Sequence, residues 1–234
     1  DFLRNRTFRA TLLCHQELQL DRRVEPQRLE GCHLGLDQRL ELPDDLSAPG
    51  KRAEFRSSQQ VITVNNAATK FALANLNAAW PGFVPFGDLA DEALQAAEPV
   101  GGDADRGRLT SDLMMLLANR LVRSAVEPPP CVAAAGRYPT TTPLARLQAQ
   151  RSDPITNRRH EPIGLPRPVL ALLPYLDGAH DRRSLEEVLE LRFAEGHFEL
   201  EEDGRPVERP SRETIGRVLD QALRVLADAA LLVA

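Results

Sequence analysis

The sequence predicts a helix-rich α+β fold in which two winged-helix-like units with small antiparallel sheets are joined by a Pro-rich linker. Three patterns predict this fold. Hydrophobic residues alternate over 33–42, which is the period of a half-buried strand. From Asn66 onward they recur at helical spacing, and the same spacing returns after Pro168. Between these regions, Pro128-Pro129-Pro130 can neither continue a helix nor form a central strand.

The first unit is predicted to comprise residues 1–126. Its start carries strand signals, and its second half carries three helices followed by an extended segment, which is the order of a winged-helix or helix-turn-helix unit. We expect strands at 7–15, 33–42, 53–57 and 60–64 and a short helix at 26–30. Three longer helices are predicted: one that starts at an Asn65 or Asn66 cap and ends before Pro81, one over 87–97 and one over 109–124.

Residues 127–150 form the predicted linker, which polyproline stiffness should make a spacer, with a short helix at 144–150. Residues 151–234 form the predicted second unit, which repeats the helical plan of the first. We expect its helices to begin at Pro168, at a capping box of Ser184 with Glu187, and at Pro210-Ser211, with a hairpin turn at Asp203-Gly204. Helical periodicity assigns six leucines to the cores: Leu113, Leu117, Leu172, Leu176, Leu219 and Leu226.

Composition narrows the class of protein. The formal net charge of −5 gives the whole molecule no long-range attraction to nucleic acid or to an anionic membrane. No apolar run approaches the roughly 20 residues that span a bilayer. Three cysteines in a chain of this length argue against a disulfide framework and for a reducing compartment. We therefore expect a cytoplasmic protein without a membrane span and without nucleic acid as a partner.

The residues that could carry out chemistry form no recognisable set. Cys14-His15 and Cys32-His33 suggest zinc, yet adjacent side chains on a strand point to opposite faces, so neither dipeptide gives both ligands to one metal. No histidine is accompanied by a nucleophile and an orienting group. Gly101-Gly102 lies in a polar loop after a helix and lacks the spacing of a nucleotide-binding fingerprint. The sequence therefore predicts no catalytic, cofactor-binding or metal-binding residues in this chain.

Several short segments, spread over most of the chain, together resemble one protein family. They are Phe2-Leu3-Arg4-Asn5-Arg6 with Phe8-Arg9 and Thr11-Leu12-Leu13-Cys14, Trp80-Pro81 with Val84-Pro85-Phe86, Pro143-Leu144-Ala145-Arg146-Leu147-Gln148, Thr156-Asn157 with His160, and Leu172-Leu173-Pro174-Tyr175-Leu176-Asp177-Gly178. This set resembles the methyltransferase regulatory region, the C-terminal accessory part of bacterial protein-lysine methyltransferase-like proteins that depend on S-adenosylmethionine. The second unit also resembles the small winged-helix peptide-recognition domain of peptide-modifying pathways.

The resemblance implies a non-catalytic part of a methyltransferase. The sequence begins with Asp1 rather than Met, inside a dense pattern of arginines and apolar residues, so we expect a fragment of a longer protein. S-adenosylmethionine is then expected in an upstream methyltransferase domain, which would be one partner of this chain. A protein or peptide substrate would be the other. Lysine as the methylated residue is implied by the resembling family alone.

Three function classes remain. The first is a regulatory or substrate-docking region, in which an extended peptide adds to a strand edge at 198–208 or 125–127. The candidate docking residues are Glu199, Glu201, Glu202 and Asp203, which would prefer a basic, lysine-bearing segment. Alternatively, these carboxylates only keep an edge strand from aggregating.

The second class is a DNA-binding winged helix, and the third is a free-standing hydrolase or transferase, for which no constellation is present. The predicted third helix offers DNA few polar side chains, with Arg120 and Arg123 at its far end, and the acidic helix of the second unit would repel phosphate. A basic stripe on one helix face would favour DNA binding. An apolar groove beside a sheet edge or between the units would favour docking.

Overall fold

The computed structural model describes residues 13–46, 51–98, 105–151, 154–202 and 205–233. The first unit begins with a 3₁₀ helix, Pro26–Gly31, followed by strands and three helices. In chain order these are β1 His33–Leu36, β2 Ala53–Arg56, β3 Val61–Val64, α1 Ala67–Ala78, β4 Val84–Pro85, α2 Phe86–Ala97, α3 Arg106–Ala118 and β5 Val122–Ala125. The helix-rich α+β fold with small antiparallel sheets is confirmed.

The three-stranded sheet of the first unit has β1 in the middle. β1 pairs antiparallel with β4 on one side and with β5 on the other, so Leu34 faces Val84 and Ser124. The three helices pack on this sheet and form one hydrophobic cluster. β2 and β3 make a separate antiparallel hairpin whose inward residues join the same cluster.

The second unit repeats this plan around its own cluster. Its elements are β6 Thr140–Thr141, α4 Pro143–Arg151, β7 Ile155–Thr156, β8 Pro162–Ile163, α5 Arg167–Leu172, α6 Arg182–Ala194, β9 Glu201–Glu202, β10 Arg205–Pro206, α7 Arg212–Asp228 and β11 Leu232–Val233. β6 pairs with β11 and bridges to Asp177, which follows α5 and the 3₁₀ turn Leu173–Tyr175. In each unit, therefore, one strand, β1 or β6, lies between a segment that follows an earlier helix and the strand that follows the last helix.

Local capping explains several helix starts. Asn66 accepts a hydrogen bond from Thr69 N at the start of α1, and Ser211 does the same for Thr214 N at α7, so both predicted caps are confirmed. The capping box predicted at Ser184 is wrong, because Asp181 accepts from Ser184 N and the helix begins at Arg182.

Two predicted elements are longer than the observed ones. The strand expected over 33–42 ends at Leu36, and the Leu40 amide instead donates to the Asn77 side chain at 2.8 Å, which holds that stretch against α1. The helix expected over 109–124 ends at Ala118, because Arg120 has a φ of 57° and Leu121 begins the approach to β5.

Part of the predicted N-terminal strand, 7–12, lies outside the described residues, and the described part, 13–15, is not in a strand. The first resembling segment, from Phe2 to Leu12, also lies outside them. Five of the six predicted core leucines are fully buried, whereas Leu117 is only partly buried at the margin of the first cluster. In the described ranges no helix combines the length and the apolar character that crossing a bilayer requires.

The division into 1–126, 127–150 and 151–234 stays a prediction. Within the predicted linker, the structure has no helix or strand from 127 to 139, whereas β6 and α4 lie in its second half. Ala145 of α4 is fully buried in the second hydrophobic cluster. The chain therefore joins the second core well before residue 151.

Candidate functional site

Three of the predicted docking residues, Glu199, Glu201 and Glu202, lie in or beside a short hairpin between α6 and α7. β9 pairs antiparallel with β10, and the Val207 amide donates to the Leu200 carbonyl at 2.9 Å. The hairpin is attached to the second core by Phe198, which is buried and whose ring lies 5.9 Å from that of Phe193. The base of the hairpin is therefore fixed by apolar packing, which leaves its strands at the surface.

The three described candidates differ in what is known of them. Glu199 and Glu201 are exposed, and Glu202 is the second residue of β9. Asp203, with the predicted turn, lies outside the described residues. A peptide-docking role for the four residues stays a prediction.

The other predicted edge, 125–127, continues β5 at the border of its sheet. In the described ranges β5 pairs with β1 alone, so its second edge is unpaired. Beside it lies a groove of about 630 Å³ between the two units. Its apolar walls are Phe83, Ala125, the three consecutive prolines from Pro128 to Pro130, and Leu144, and its polar residues include Arg123, Glu127, Arg158, Arg159 and His160.

One cation of this groove, Arg123, is neutralised by neighbouring carboxylates. Arg123 contacts Asp37 and also binds Glu161 at 2.6 Å. The sequence analysis places Arg120 and Arg123 at the far end of the third predicted helix. This placement is wrong, because Arg120 follows the helix and Arg123 lies in β5.

Arg159 joins the two units at the inner end of this groove. Its side chain is almost fully buried, and Nη2 donates to the carbonyl of Leu36 at 2.6 Å. The guanidinium lies over the rings of Trp80 and Phe83, 4.8 and 6.0 Å from their centroids. Burial lowers the pKa of Arg159 from its ordinary value, with Glu161 acting in the opposite direction.

The loop between β7 and β8 holds Arg159 in position. The Asn157 side chain accepts hydrogen bonds from the amides of Arg159 and Glu161, both at 2.9 Å, and donates to Glu161 Oε2 at 2.8 Å. His160 has a φ of 60°, in the left-handed region. The loop is therefore closed by one buried amide, which organises the backbone that presents Arg159.

The segments that carry the family resemblance meet around this junction. Trp80 contacts Arg159, and Gln148 of α4 exchanges hydrogen bonds with Thr156 at 2.9 and 3.1 Å. Arg146 donates to the Leu176 carbonyl at 3.2 Å. The sequence analysis used these segments for resemblance and did not predict their contacts, because no local pattern reveals a pair separated by about eighty residues.

In the described ranges no group of three or more His, Cys, Asp or Glu side chains is placed to hold a metal. Cys14 is exposed. Cys32 is half-buried with its thiol near the Arg28 carbonyl at 3.5 Å. Burial raises the pKa of the Cys131 thiol, which disfavours a nucleophilic thiolate.

Comparison with known proteins finds a family match in the second half of the chain. Residues 137–231 match the family described as PKMT, C-terminal winged helix domain. Two curated relatives are uncharacterized proteins of Rickettsia prowazekii (strain Madrid E). RP789 is 22% identical over 228 residues, which cover 94% of this chain and 41% of the relative. RP027 is 24% identical over 195 residues, which cover 77% of each.

Two similar solved structures are of PKMT2 from Rickettsia typhi. One has a TM-score of 0.82 at 23% identity, and the other, in complex with AdoHcy, has 0.80 at 24%. Each similarity covers all of this chain but only 49% and 48% of the PKMT2 chain, respectively. The likeness establishes a shared fold, and this chain spans about half the length of those structures. The predicted resemblance to the accessory part of methyltransferases is confirmed.

Proposed function

We propose that this chain is the non-catalytic regulatory or substrate-docking region of an S-adenosylmethionine-dependent protein-lysine methyltransferase, because residues 137–231 match the family described as PKMT, C-terminal winged helix domain. The family match is the single observation that carries the proposal. The fold shared with PKMT2 supports the proposal, because this likeness covers the entire chain and so includes the first unit, which the family match does not reach.

The geometry supports docking over DNA binding. An unpaired sheet edge borders a partly apolar groove between the units, which is the arrangement that strand addition requires. The last helix, α7, exposes residues of both signs, such as Glu213, Arg217 and Arg224, rather than a basic stripe. Phosphate binding would need net positive charge on that face.

S-adenosylmethionine belongs, in this proposal, to a separate methyltransferase domain of the parent protein, which acts in the cytoplasm. The AdoHcy complex of PKMT2 supports the cofactor class, since AdoHcy is what S-adenosylmethionine becomes after methyl transfer. Calorimetric titration of this chain with S-adenosylmethionine should give no heat of binding in the micromolar range. A micromolar dissociation constant would contradict the assignment of a non-catalytic role.

The docking role is tested in the parent polypeptide that carries the methyltransferase domain. Methylation of candidate proteins is measured with and without residues 137–234, which removes β6 and α4 together with the core they join. We expect deletion to change both the rate and the choice of substrate. The double charge reversal Glu201→Lys with Glu202→Lys tests the hairpin separately, against Glu187→Lys on the exposed face of α6 as a control. Unchanged rates and substrates in the deletion would leave the second unit a purely structural element.

A further inference from the structure

A second groove lies in the first unit, between β3 and α3. It encloses about 420 Å³, and its strand side is formed by Ile62, Thr63 and Val64. Consecutive residues of a strand point to opposite faces of a sheet. Because all three line the cavity, the cavity runs along the edge of β3 rather than over one of its faces.

The main chain of this edge is available for pairing. On the opposite side of the hairpin, Arg56 donates to and accepts from Glu41, at 3.3 and 2.8 Å. Arg56 opposite Val61 is thus a non-hydrogen-bonded pair, and the antiparallel alternation makes Glu54 opposite Thr63 another. The N–H and C=O groups of Val61 and Thr63 therefore point away from β2, and no strand in the described ranges pairs with them.

The helix side of the groove combines an apolar surface with a carboxylate. Met115 is 57% exposed, and it lines the groove together with the buried Leu116 that follows it in α3. One turn earlier, Asp112 accepts a hydrogen bond from the Thr69 hydroxyl at 2.7 Å. In the described part of the chain no cation forms an ion pair with Asp112, and Arg108, which also lines the groove, has an interaction of its own. The charge of this carboxylate is therefore available to a ligand.

We propose that this groove binds an extended, lysine-bearing peptide segment as an added strand. Its backbone pairs with Val61 and Thr63, an apolar side chain covers Met115, and a lysine ammonium reaches the Asp112 carboxylate. A lysine, rather than an acidic residue, is selected because the Asp112 carboxylate, which forms no ion pair in the described ranges, lies beside the unpaired strand edge. That the peptide is a segment of the methylated protein rests on the proposed function. The binding itself rests on the groove.

The test measures fluorescence anisotropy of the 234-residue chain with a labelled peptide of alternating valine and lysine. One control peptide has glutamate in place of lysine, and another has its outward amides N-methylated, which removes the donors needed for strand pairing. The chain should bind the first peptide at least about tenfold more tightly than either control. Equal binding of all three peptides would overturn the proposal.

Matched variants locate the peptide. Thr63→Pro removes a backbone donor that the hairpin does not use, and Thr63→Val changes the same side chain but keeps the donor. We expect Thr63→Pro to weaken binding about fivefold or more and Thr63→Val to leave it unchanged. Asp112→Asn, which can still accept from Thr69, should weaken binding of the lysine peptide alone. Should Thr63→Pro fail to fold by circular dichroism, the N-methylated peptide and Asp112→Asn still decide the question.

A further control separates this groove from the acidic hairpin. Glu201→Gln should leave binding of the lysine peptide unchanged. If Glu201→Gln instead loses binding while Asp112→Asn binds the peptide fully, the peptide lies on the hairpin and the proposal is overturned. The methylation experiment on the parent polypeptide tests the regulatory role independently of the groove. If deletion of 137–234 alters methylation but no peptide binds along β3, the groove fails and the regulatory role stands.

Discussion

The guanidinium carbon of Arg159, in the second unit, lies 4.8 Å from the ring centroid of Trp80, in the first. A second contact crosses the same junction in the other direction, because Trp80 Nε1 donates to the carbonyl of Asp228 at 3.1 Å. Arg39 adds an ion pair to the Asp228 carboxylate at 2.9 Å. The two units are thus held by a specific packed junction in addition to the chain that connects them.

Removing Arg159 should destabilise the protein strongly. Arg159→Leu loses a charge-assisted hydrogen bond to the Leu36 carbonyl and a buried cation–π contact, for an expected loss of about 2–4 kcal/mol. Arg158→Leu is the matched control, since no side-chain hydrogen bond or ion pair of Arg158 exists in the described ranges. Urea unfolding measures both. Equal free energies of unfolding for the two variants would show that the junction does not depend on Arg159.

Truncation of core leucines should distinguish the observed burial from the predicted periodicity. Leu219→Ala in α7 removes a fully buried side chain and should cost about 2–5 kcal/mol. Leu117→Ala in α3 should cost clearly less, because Leu117 is only partly buried. Thermal denaturation followed by circular dichroism compares the two variants. A larger loss in Leu117→Ala would mean that the phase of α3 differs from the one described.

Asn157 should prove structural, although it lies in a segment that resembles other proteins. Asn157→Ala leaves the amides of Arg159 and Glu161 without their acceptor, and we expect a loss of about 2–3 kcal/mol. Asn157→Asp keeps the acceptor but sets a second carboxylate against Glu161, so its stability should improve as pH falls toward the range where carboxylates protonate. Chemical denaturation at two pH values measures this, and identical pH profiles for Asn157→Asp and the unmodified chain would contradict it.

Acid should weaken the turn that follows α5. The pKa of Asp177 lies below its ordinary value of 3.8, first because His180 donates a hydrogen bond to it and then because the Ala179 amide does. A carboxyl whose pKa is lower in the folded state stabilises it above the ordinary value, and this contribution disappears as pH falls through the lowered value. The melting temperature of the unmodified chain should therefore fall more steeply below about pH 4 than that of Asp177→Asn.

His180→Gln serves as the control for that prediction, since it keeps a donor but removes the charge. The steep loss of stability below the ordinary pKa should become shallower without disappearing, because the Ala179 amide still donates to Asp177. If the melting temperatures of all three proteins fall equally with pH across the acid range, Asp177 does not titrate as described.

The sequence alone determined the features that depend on residues a few positions apart. Asn66 and Ser211 cap their helices through a side chain and an amide three residues later, and leucines at helical spacing mark the buried faces of α5, α7 and most of α3. The proline run excluded regular structure at the start of the linker for an equally local reason. The resemblance to the methyltransferase regulatory region was also recognisable from short segments.

Only the tertiary structure decided where elements end and which segments meet. Leu121 continues the helical spacing of α3, yet Arg120 adopts a left-handed φ, and β5 instead pairs with β1 from far earlier in the chain. Arg159 contacts Trp80, and the groove along β3 is completed by α3. Both features join residues separated by tens of positions. Such contacts are selected by the packing of whole elements and by the burial of their shared surface, and no periodicity within one segment carries that information.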